Sequence, residues 1–142
     1  MTLPWLHNEK QQNYPSRERT NRDLYNSRPW RKLRQSYIDK LTDQQYKEIP
    51  TLDIDQGLKS VLMEAVPVCE VCYRLLIQGA YTTANEGKIC DHILCVNPKD
   101  WRQTLDGYFG QGLDMDNLQM LCMEHHQRKS ARDRVYQGRA PG

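Results

Sequence analysis

The sequence has few of the features that would place it in a membrane or in an oxidising compartment. Only 38% of its 142 residues are hydrophobic, and no apolar run approaches the length of a membrane span. No apolar signal segment opens the chain, because residues 3–6 are followed directly by polar ones. Five cysteines are an odd number, which is untypical of a disulfide framework. We therefore expect a cytosolic protein with reduced thiols and no membrane partner.

Phenylalanine and net charge are also scarce. There is one Phe beside eight Tyr and three Trp, and the polar tips of Tyr and Trp suit partly wet surfaces such as those that bind nucleic acid. The net charge is +2, but residues 1–40 hold nine basic and four acidic residues, and residues 122–142 hold five and two. Residues 41–121 hold six and twelve. Positive ends around an acidic middle favour phosphate binding with carboxylates at a cation site, and ordinary solvated charge is the alternative.

The length suits one domain, which the composition divides into four segments. Residues 1–24 are polar without an apolar period, and we expect a flexible arm. Residues 25–66 predict a basic helix followed by a helical insertion. Residues 67–135 hold the cysteine and histidine motifs and predict the functional core, and residues 136–142 form a tail.

Two helices are predicted in the second segment. Ser27 or Asn26 can cap the first helix, whose apolar residues recur at helical spacing. Asp53 or Asp55 can cap the second. The inner face of the first helix consists of Trp30, Leu33, Tyr37, Ile38 and Leu41, and that of the second of Leu58, Val61, Leu62 and Ala65.

Three short strands and one further helix are predicted in the core. The strands are Tyr73–Ile77, Lys88–Leu94 and Leu118–Leu121, and the helix is His125–Val135. A brief helix is also predicted at Asn97-Pro98, and the glycines between Gly107 and Gly112 indicate a long irregular loop. These elements together predict an α+β domain.

Four residues form two chelating pairs. Cys69-x2-Cys72 and Cys122-x2-His125 each leave two residues between ligands, so a tight turn can direct both side chains to one ion. Zn²⁺ takes four tetrahedral thiolate or imidazole ligands, and the set therefore predicts a structural zinc site. A redox Cys-x-x-Cys is one alternative, but no βαβ pattern surrounds it, and a chance pairing of buried cysteines is the other. If one ligand is misassigned, Cys95 is the substitute.

A second group of residues suits phosphodiester hydrolysis. This reaction needs a base for a water molecule and a cation that stabilises the phosphate and the leaving oxygen. His92 is a candidate base, and Asp91 offers a carboxylate to a hard divalent cation. Because neighbours on a helix diverge by about 100°, His125 can serve zinc while His126 serves the catalytic cation. Asn117 can hydrogen-bond backbone and hold the loop that carries the base.

These motifs resemble those of the HNH endonucleases, which share the ββα-metal fold. The resemblance covers roughly residues 66–132, and the helix beginning near Tyr25-x-Ser27-x-x-Trp30 is similar to one that often precedes the first cysteine pair in phage-type members. It implies a short antiparallel hairpin plus a helix, stapled by zinc, with helices added on the N-terminal side. The matching motifs are Asp91-His92-Ile93, Asn117-Leu118-Gln119-x-Leu121-Cys122 and His126-x-x-Lys129.

The resemblance also implies roles for individual residues. His92 would be the general base, Asn117 would orient it, and Asp91 with His126 would hold a catalytic Mg²⁺ or Mn²⁺ ion. The zinc positions of the family match the two chelating pairs, although members usually have a cysteine where His125 stands.

The predicted function is that of a metal-dependent HNH endonuclease that nicks or cleaves double-stranded DNA. A phage or prophage source would place it in the host cytoplasm, and packaging proteins such as terminase are further possible partners. The alternative is a non-catalytic, zinc-stapled DNA-binding or packaging accessory protein. The candidate DNA-binding residues are Arg28, Arg31, Lys32, Arg34, Arg128, Lys129, Arg132 and Arg134.

Overall fold

The computed structural model describes residues 22–104 and 107–139, which form four helices and one two-stranded sheet. A helical turn over residues 22–25 precedes them, and 3₁₀ turns lie at Ile49–Thr51 and Met115–Asn117. No helix in the described part of the chain is long and apolar enough to cross a membrane. In chain order the elements are α1 (Arg28–Glu48), α2 (Gln56–Glu64), α3 (Glu70–Ile77), β1 (Ile89–His92), β2 (Leu118–Leu121) and α4 (Met123–Arg139).

Helix α1 begins where the sequence predicts. The Ser27 side chain accepts a hydrogen bond from the Trp30 backbone N–H at 3.2 Å and so caps the first turn. Trp30, Tyr37 and Leu41 are buried on one face, as their spacing predicts. The helix continues without a break to Glu48. Residues 38–48, which are the first part of the insertion predicted at residues 38–66, therefore form the second half of this helix.

The cap of α2 is the second of the two predicted candidates. A carboxylate oxygen of Asp55 accepts hydrogen bonds from the backbone N–H groups of Gly57 and Leu58 at 2.9 and 3.3 Å. Leu62 is fully buried, but Val61 is 55% exposed, so its predicted inward position is wrong. The helix turns the i, i+4 pair Leu58 and Leu62 to the core, which leaves Val61 on the outer face.

The predicted strand Tyr73–Ile77 is wrong, because this segment is helical and forms most of α3. The Cys69 thiol lies at the N-cap of the helix and accepts from the Cys72 backbone N–H at 3.5 Å. Tyr73 and Leu76 are buried, whereas Ile77 is 52% exposed. A short apolar run does not distinguish a strand from a buried helix by periodicity alone.

The brief helix predicted at Asn97-Pro98 is also wrong. Residues 98–102 form bends and turns. The Asn97 side-chain oxygen accepts a hydrogen bond from the Lys99 backbone N–H at 2.9 Å, which gives a local turn in place of a first helical turn.

The two strands form an antiparallel pair, and α4 follows β2 directly. His92 is paired with Leu118 and Asp91 with Gln119, which brings the end of β1 beside the start of β2. The Ile93 backbone N–H continues the pairing by donating to the Asn117 carbonyl at 2.8 Å. The predicted α+β fold with a ββα core and N-terminal helices is therefore confirmed, with two strands in the described sheet.

Two apolar clusters lie on either side of this ββα core. One surrounds the first cysteine pair and includes Leu62 and Val68, and the other joins Trp30 to the sheet residue Met120. Gln45 of α1, which is 2% exposed, fixes the helix to the chain entering the first cysteine pair. Its amide nitrogen donates to the Val68 carbonyl at 3.2 Å, and its oxygen accepts from the Val68 N–H at 2.6 Å.

The predicted terminal segments are only partly described. Residues 1–21 of the predicted arm and residues 140–142 of the predicted tail lie outside the described residues. Leu24, at the end of the predicted arm, is fully buried in the second cluster, so the polar character of the arm ends before this residue. Helix α4 extends to Arg139, which is beyond the predicted end at Val135.

Candidate metal centre and active site

The two predicted chelating pairs meet in one buried cluster. Cys69 and Cys72 lie at the N-terminus of α3, and Cys122 and His125 lie at the N-terminus of α4. All four side chains are buried, and their ligand atoms lie within 4.8 Å of one another. The chain folds this way because each pair occupies the first turn of a helix, where both members point in one direction.

Four of the six distances between ligand atoms in this cluster fit a single tetrahedral ion. The His125 Nδ1 atom lies 3.6, 3.5 and 3.3 Å from the sulfur atoms of Cys69, Cys72 and Cys122, and the sulfur atoms of Cys72 and Cys122 are 3.9 Å apart. Zinc bond lengths of about 2.3 Å to sulfur and about 2.0 Å to nitrogen give tetrahedral edges of about 3.6 Å between N and S and about 3.8 Å between two S atoms. The residues present can therefore hold such an ion through Nδ1 of His125.

A tyrosine supports the histidine of this cluster. The hydroxyl of Tyr81 lies 3.3 Å from the other ring nitrogen of His125, and the two rings stack with centroids 6.2 Å apart. With Nδ1 bound to an ion, Nε2 would carry the proton and donate to the Tyr81 hydroxyl, which would fix the tautomer and the ring orientation. Burial raises the pKa of the Cys72 thiol to about 12, so a thiolate in this position needs a positive partner.

His92 is enclosed by aromatic rings and has a defined tautomer. It is 2% exposed, and the Trp30 ring stacks on it with centroids 5.1 Å apart. Its Nε2 lies 2.9 Å from the Gly112 carbonyl, which can only accept, so Nε2 carries the proton. The lone pair is therefore on Nδ1, which accepts from the Tyr25 hydroxyl at 3.4 Å. Burial lowers the pKa of His92, which favours the neutral form.

Asn117 fixes the chain that follows His92. Its side-chain oxygen accepts from the Leu94 N–H at 2.8 Å, and its amide nitrogen donates to the carbonyls of Leu94 and Gln111 at 3.0 and 3.2 Å. Gly110 packs directly on this amide, since a Cβ atom at Gly110 would lie 2.1 Å from the Asn117 nitrogen. Asn117 therefore ties the loop after β1 to the glycine loop before β2.

A polar pocket lies between β1, α4 and the helical turn at residues 22–25. Its volume is about 240 Å³, and Asp91, His92 and His126 line it together with Tyr25. Asp91 is bound to the ammonium of Lys129 at 3.0 Å, and His126 Nε2 lies 3.5 Å from the Ser130 hydroxyl. The adjacent histidines of α4 thus face different sites, with His125 in the cysteine cluster and His126 in the pocket.

The pocket residues do not form a ready-made ion cluster like that of the cysteines. Among the residues that the structure describes, the cysteine–histidine set is the one group of three or more potential ligands that lie close enough together to share an ion. Asp91 instead contacts an ammonium group, which shows that its carboxylate attracts a cation in this position. Asp91 and His126 remain the pocket groups whose chemistry suits a hard divalent ion.

The predicted DNA-binding residues occupy different surroundings. Arg34 and Arg134 line the pockets at the site. Arg128 and Arg132 are exposed on α4, roughly opposite the face that carries His126, because residues on a helix advance by about 100° each. The remaining members on α1, which are Arg28, Arg31 and Lys32, are exposed.

Lys129 differs from the other basic residues. It is 5% exposed and contacts both Asp91 and Asp133, so its charge is directed into the site and not to the outer surface. Asp133 was not predicted, although its i, i+3 and i+7 spacing with His126 and Lys129 on a predicted helix places all three on one face. The positions of Tyr25 and Gly110 had no such signal, because both depend on long-range packing.

Together these features define an HNH-like protein: a ββα core, a buried Cys3His cluster and a histidine- and carboxylate-lined pocket between β1 and α4. No protein-family model matches the chain, and no curated protein matches it. Among solved structures, the chain is similar to the HNH endonuclease of the deep-sea thermophilic bacteriophage GVE2, crystallised with manganese ion. The identity is 26%, the TM-score is 0.50, and the match covers 90% of this chain and 97% of that chain. The predicted resemblance to phage-type HNH endonucleases is thus confirmed.

Proposed function

We propose that this protein is a metal-dependent endonuclease that hydrolyses phosphodiester bonds of double-stranded DNA. The observation that carries the proposal is His92, a buried imidazole that lines a pocket with a carboxylate and a second histidine, and whose unprotonated nitrogen contacts the Tyr25 hydroxyl. The similar phage endonuclease was crystallised with manganese, which makes Mn²⁺ or Mg²⁺ the expected catalytic ion. The cysteine cluster is proposed to hold structural Zn²⁺.

His92 supplies the base in this proposal. The Gly112 carbonyl holds the proton on Nε2, so Nδ1 accepts the proton of the attacking water. The stacked Trp30 ring and the 2% exposure keep the imidazole fixed and poorly hydrated. Asn117 positions the loop behind His92 through its hydrogen bonds to Leu94 and Gln111.

Asp91 and His126 would hold the divalent ion, which supplies Lewis-acid charge to the phosphate and to the leaving oxygen. Both side chains line the same pocket as His92. Asp91 provides the hard oxygen ligand that Mg²⁺ and Mn²⁺ prefer. The expected products carry a 3′-hydroxyl and a 5′-phosphate.

The basic residues near the pocket would bind the phosphate backbone. Arg34 and Arg134 are the best placed, since both line the site, and contacts of this type give affinity without sequence choice. The exposed basic face of α1 extends the positive surface away from the pocket. Non-specific nicking is therefore expected.

A plasmid assay tests the proposal. Supercoiled plasmid is incubated with zinc-loaded protein and Mn²⁺ or Mg²⁺, and nicked and linear forms are separated on a gel. We expect cleavage that His92→Ala reduces by at least about a hundredfold, which is the lower range for loss of a general base. Arg128→Ala is the control, because it changes an exposed residue of α4 on the face opposite His126.

Two outcomes would count against the proposal. Equal cleavage by the wild type and His92→Ala would exclude His92 as the base. Binding of DNA without cleavage by any form, in protein that contains zinc, would favour the non-catalytic DNA-binding module.

A further inference from the structure

Lys129 carries a cation into the interior of the candidate site. Its Nζ lies 3.0 Å from a carboxylate oxygen of Asp91 and also contacts a carboxylate oxygen of Asp133. The Lys129 side chain is 5% exposed, and those of Asp91 and Asp133 are 17% and 20% exposed. A buried ammonium is costly unless charged groups surround it, so the two carboxylates hold Lys129 in this position.

Helix α4 supplies both Lys129 and one of its partners. His126, Lys129 and Asp133 lie at i, i+3 and i+7, so they share one face of the helix. That face lines the same pocket as Asp91. The two carboxylates and one ammonium therefore leave one net negative charge next to the position where His126 and Asp91 would bind a divalent ion.

We propose that Lys129 is an internal counter-cation that sets the affinity of this site for its divalent ion, and that Asp133 competes with Asp91 for the Lys129 ammonium. The inference rests on the proposed function, because it takes Asp91 as a ligand of the ion. The ammonium and the ion are attracted to the same carboxylate and repel each other, so Lys129 weakens ion binding. Asp133 opposes this effect by giving the ammonium a second partner.

Charge changes at these two positions have opposite expected signs. Lys129→Met keeps an unbranched side chain but removes the charge, which raises the net negative charge of the group from one to two. Asp133→Asn lowers it to zero and leaves Lys129 with Asp91 as its charged partner. The double variant returns the net charge to that of the wild type. At separations of about 5 Å in a wet site, one unit charge changes the affinity for a divalent ion by about tenfold.

Manganese binding to the full-length, zinc-loaded protein measures the effect without any turnover. Free Mn²⁺ is followed by electron paramagnetic resonance during titration of the wild type, Lys129→Met, Asp133→Asn, the double variant and Asp91→Asn. Zinc content and near-ultraviolet circular dichroism identify any variant that does not fold. If one single variant does not fold, the double variant still tests the proposal. It removes one positive and one negative charge together and so keeps the net charge of the wild type.

We expect Lys129→Met to bind Mn²⁺ about tenfold more tightly and Asp133→Asn about tenfold more weakly. The double variant should remain within about threefold of the wild type. Weaker binding by both single variants, or weakest binding by the double variant, would assign Lys129 and Asp133 a purely structural role and overturn the inference. Unchanged Mn²⁺ affinity in Asp91→Asn would instead remove the proposed ion site itself, so the two failures are distinguishable.

Discussion

The close packing of Gly110 on the Asn117 amide predicts that a side chain at position 110 would disrupt the loops at the site. A Cβ atom at Gly110 would lie 2.1, 2.6 and 2.8 Å from the nitrogen, carbon and oxygen of the Asn117 amide, all closer than real Cβ contacts allow. Gly110→Ala must therefore displace this amide. The displacement breaks the two hydrogen bonds to Leu94 and the one to Gln111.

The expected cost follows from these three hydrogen bonds. A hydrogen bond of this kind contributes about 1 kcal/mol net, so Asn117→Ala should lower the free energy of unfolding by about 3 kcal/mol. Gly110→Ala should cost at least as much, because it breaks the same bonds and adds a steric clash. In the double variant the smaller alanine side chain that replaces Asn117 leaves room for the new methyl group. The double variant should therefore be no less stable than Asn117→Ala alone.

Urea unfolding at a fixed excess of zinc measures all three variants, since bound zinc otherwise contributes to the apparent stability. The coupling free energy between the two positions should be about as large as the cost of Gly110→Ala itself. Additive costs of the two substitutions would show that Gly110 serves something other than the Asn117 amide. An unchanged stability of Gly110→Ala would contradict the close packing of Gly110 on this amide.

Three further predictions concern the metals, the base and the DNA contacts. Cys72→Ser should no longer bind stoichiometric zinc, measured by atomic absorption, and should unfold at a lower temperature. Cys95→Ser changes a buried cysteine outside the cluster and should keep its zinc in the same measurement. Burial lowers the pKa of His92, so the base stays neutral as the pH falls. In a pH profile of kcat/KM at saturating Mn²⁺, the pKa of the acidic limb should therefore lie below the ordinary histidine value of about 6.5. An acidic limb at or above that value would contradict the assignment of His92 as the base. Arg134→Ala should reduce the affinity for a short DNA duplex and the slope of its salt dependence by about one, while Arg128→Ala, on the opposite face of α4, should change neither by as much in a fluorescence anisotropy titration.

The residues with local chemical signals were predictable from the sequence. The spacing of Cys69, Cys72, Cys122 and His125 predicted a cluster that the structure brings within 4.8 Å. The adjacency of His125 and His126 predicted that one would face each site, because a helix rotates neighbours apart. The antiparallel pairing of β1 with β2 was implied by the resemblance to the HNH endonucleases, and the structure contains it.

Features that depend on long-range packing were not predictable in the same way. Helix α3 was predicted as a strand because its apolar run has no distinct period, and the capping thiol of Cys69 supports the helix. Lys129 was predicted as a surface DNA contact, and its burial depends on the approach of Asp91 from β1. Tyr25 reaches His92 across 67 positions in the sequence, which no local pattern indicates.

The hydrogen bonds of Gln45 help to fix helix α1 in place, which affects how double-stranded DNA would bind beside it. Helix α1 is attached at its start by the stacking of Trp30 on His92 and near its end by the paired bonds of Gln45 to Val68. A helix held at both ends cannot open and close around a duplex. In the proposed nuclease, the pocket lined by Arg34 would exist before DNA binds, so binding would cost little conformational entropy on this side of the site. Discrimination between substrates would then depend on whether the DNA can deform to fit the pocket.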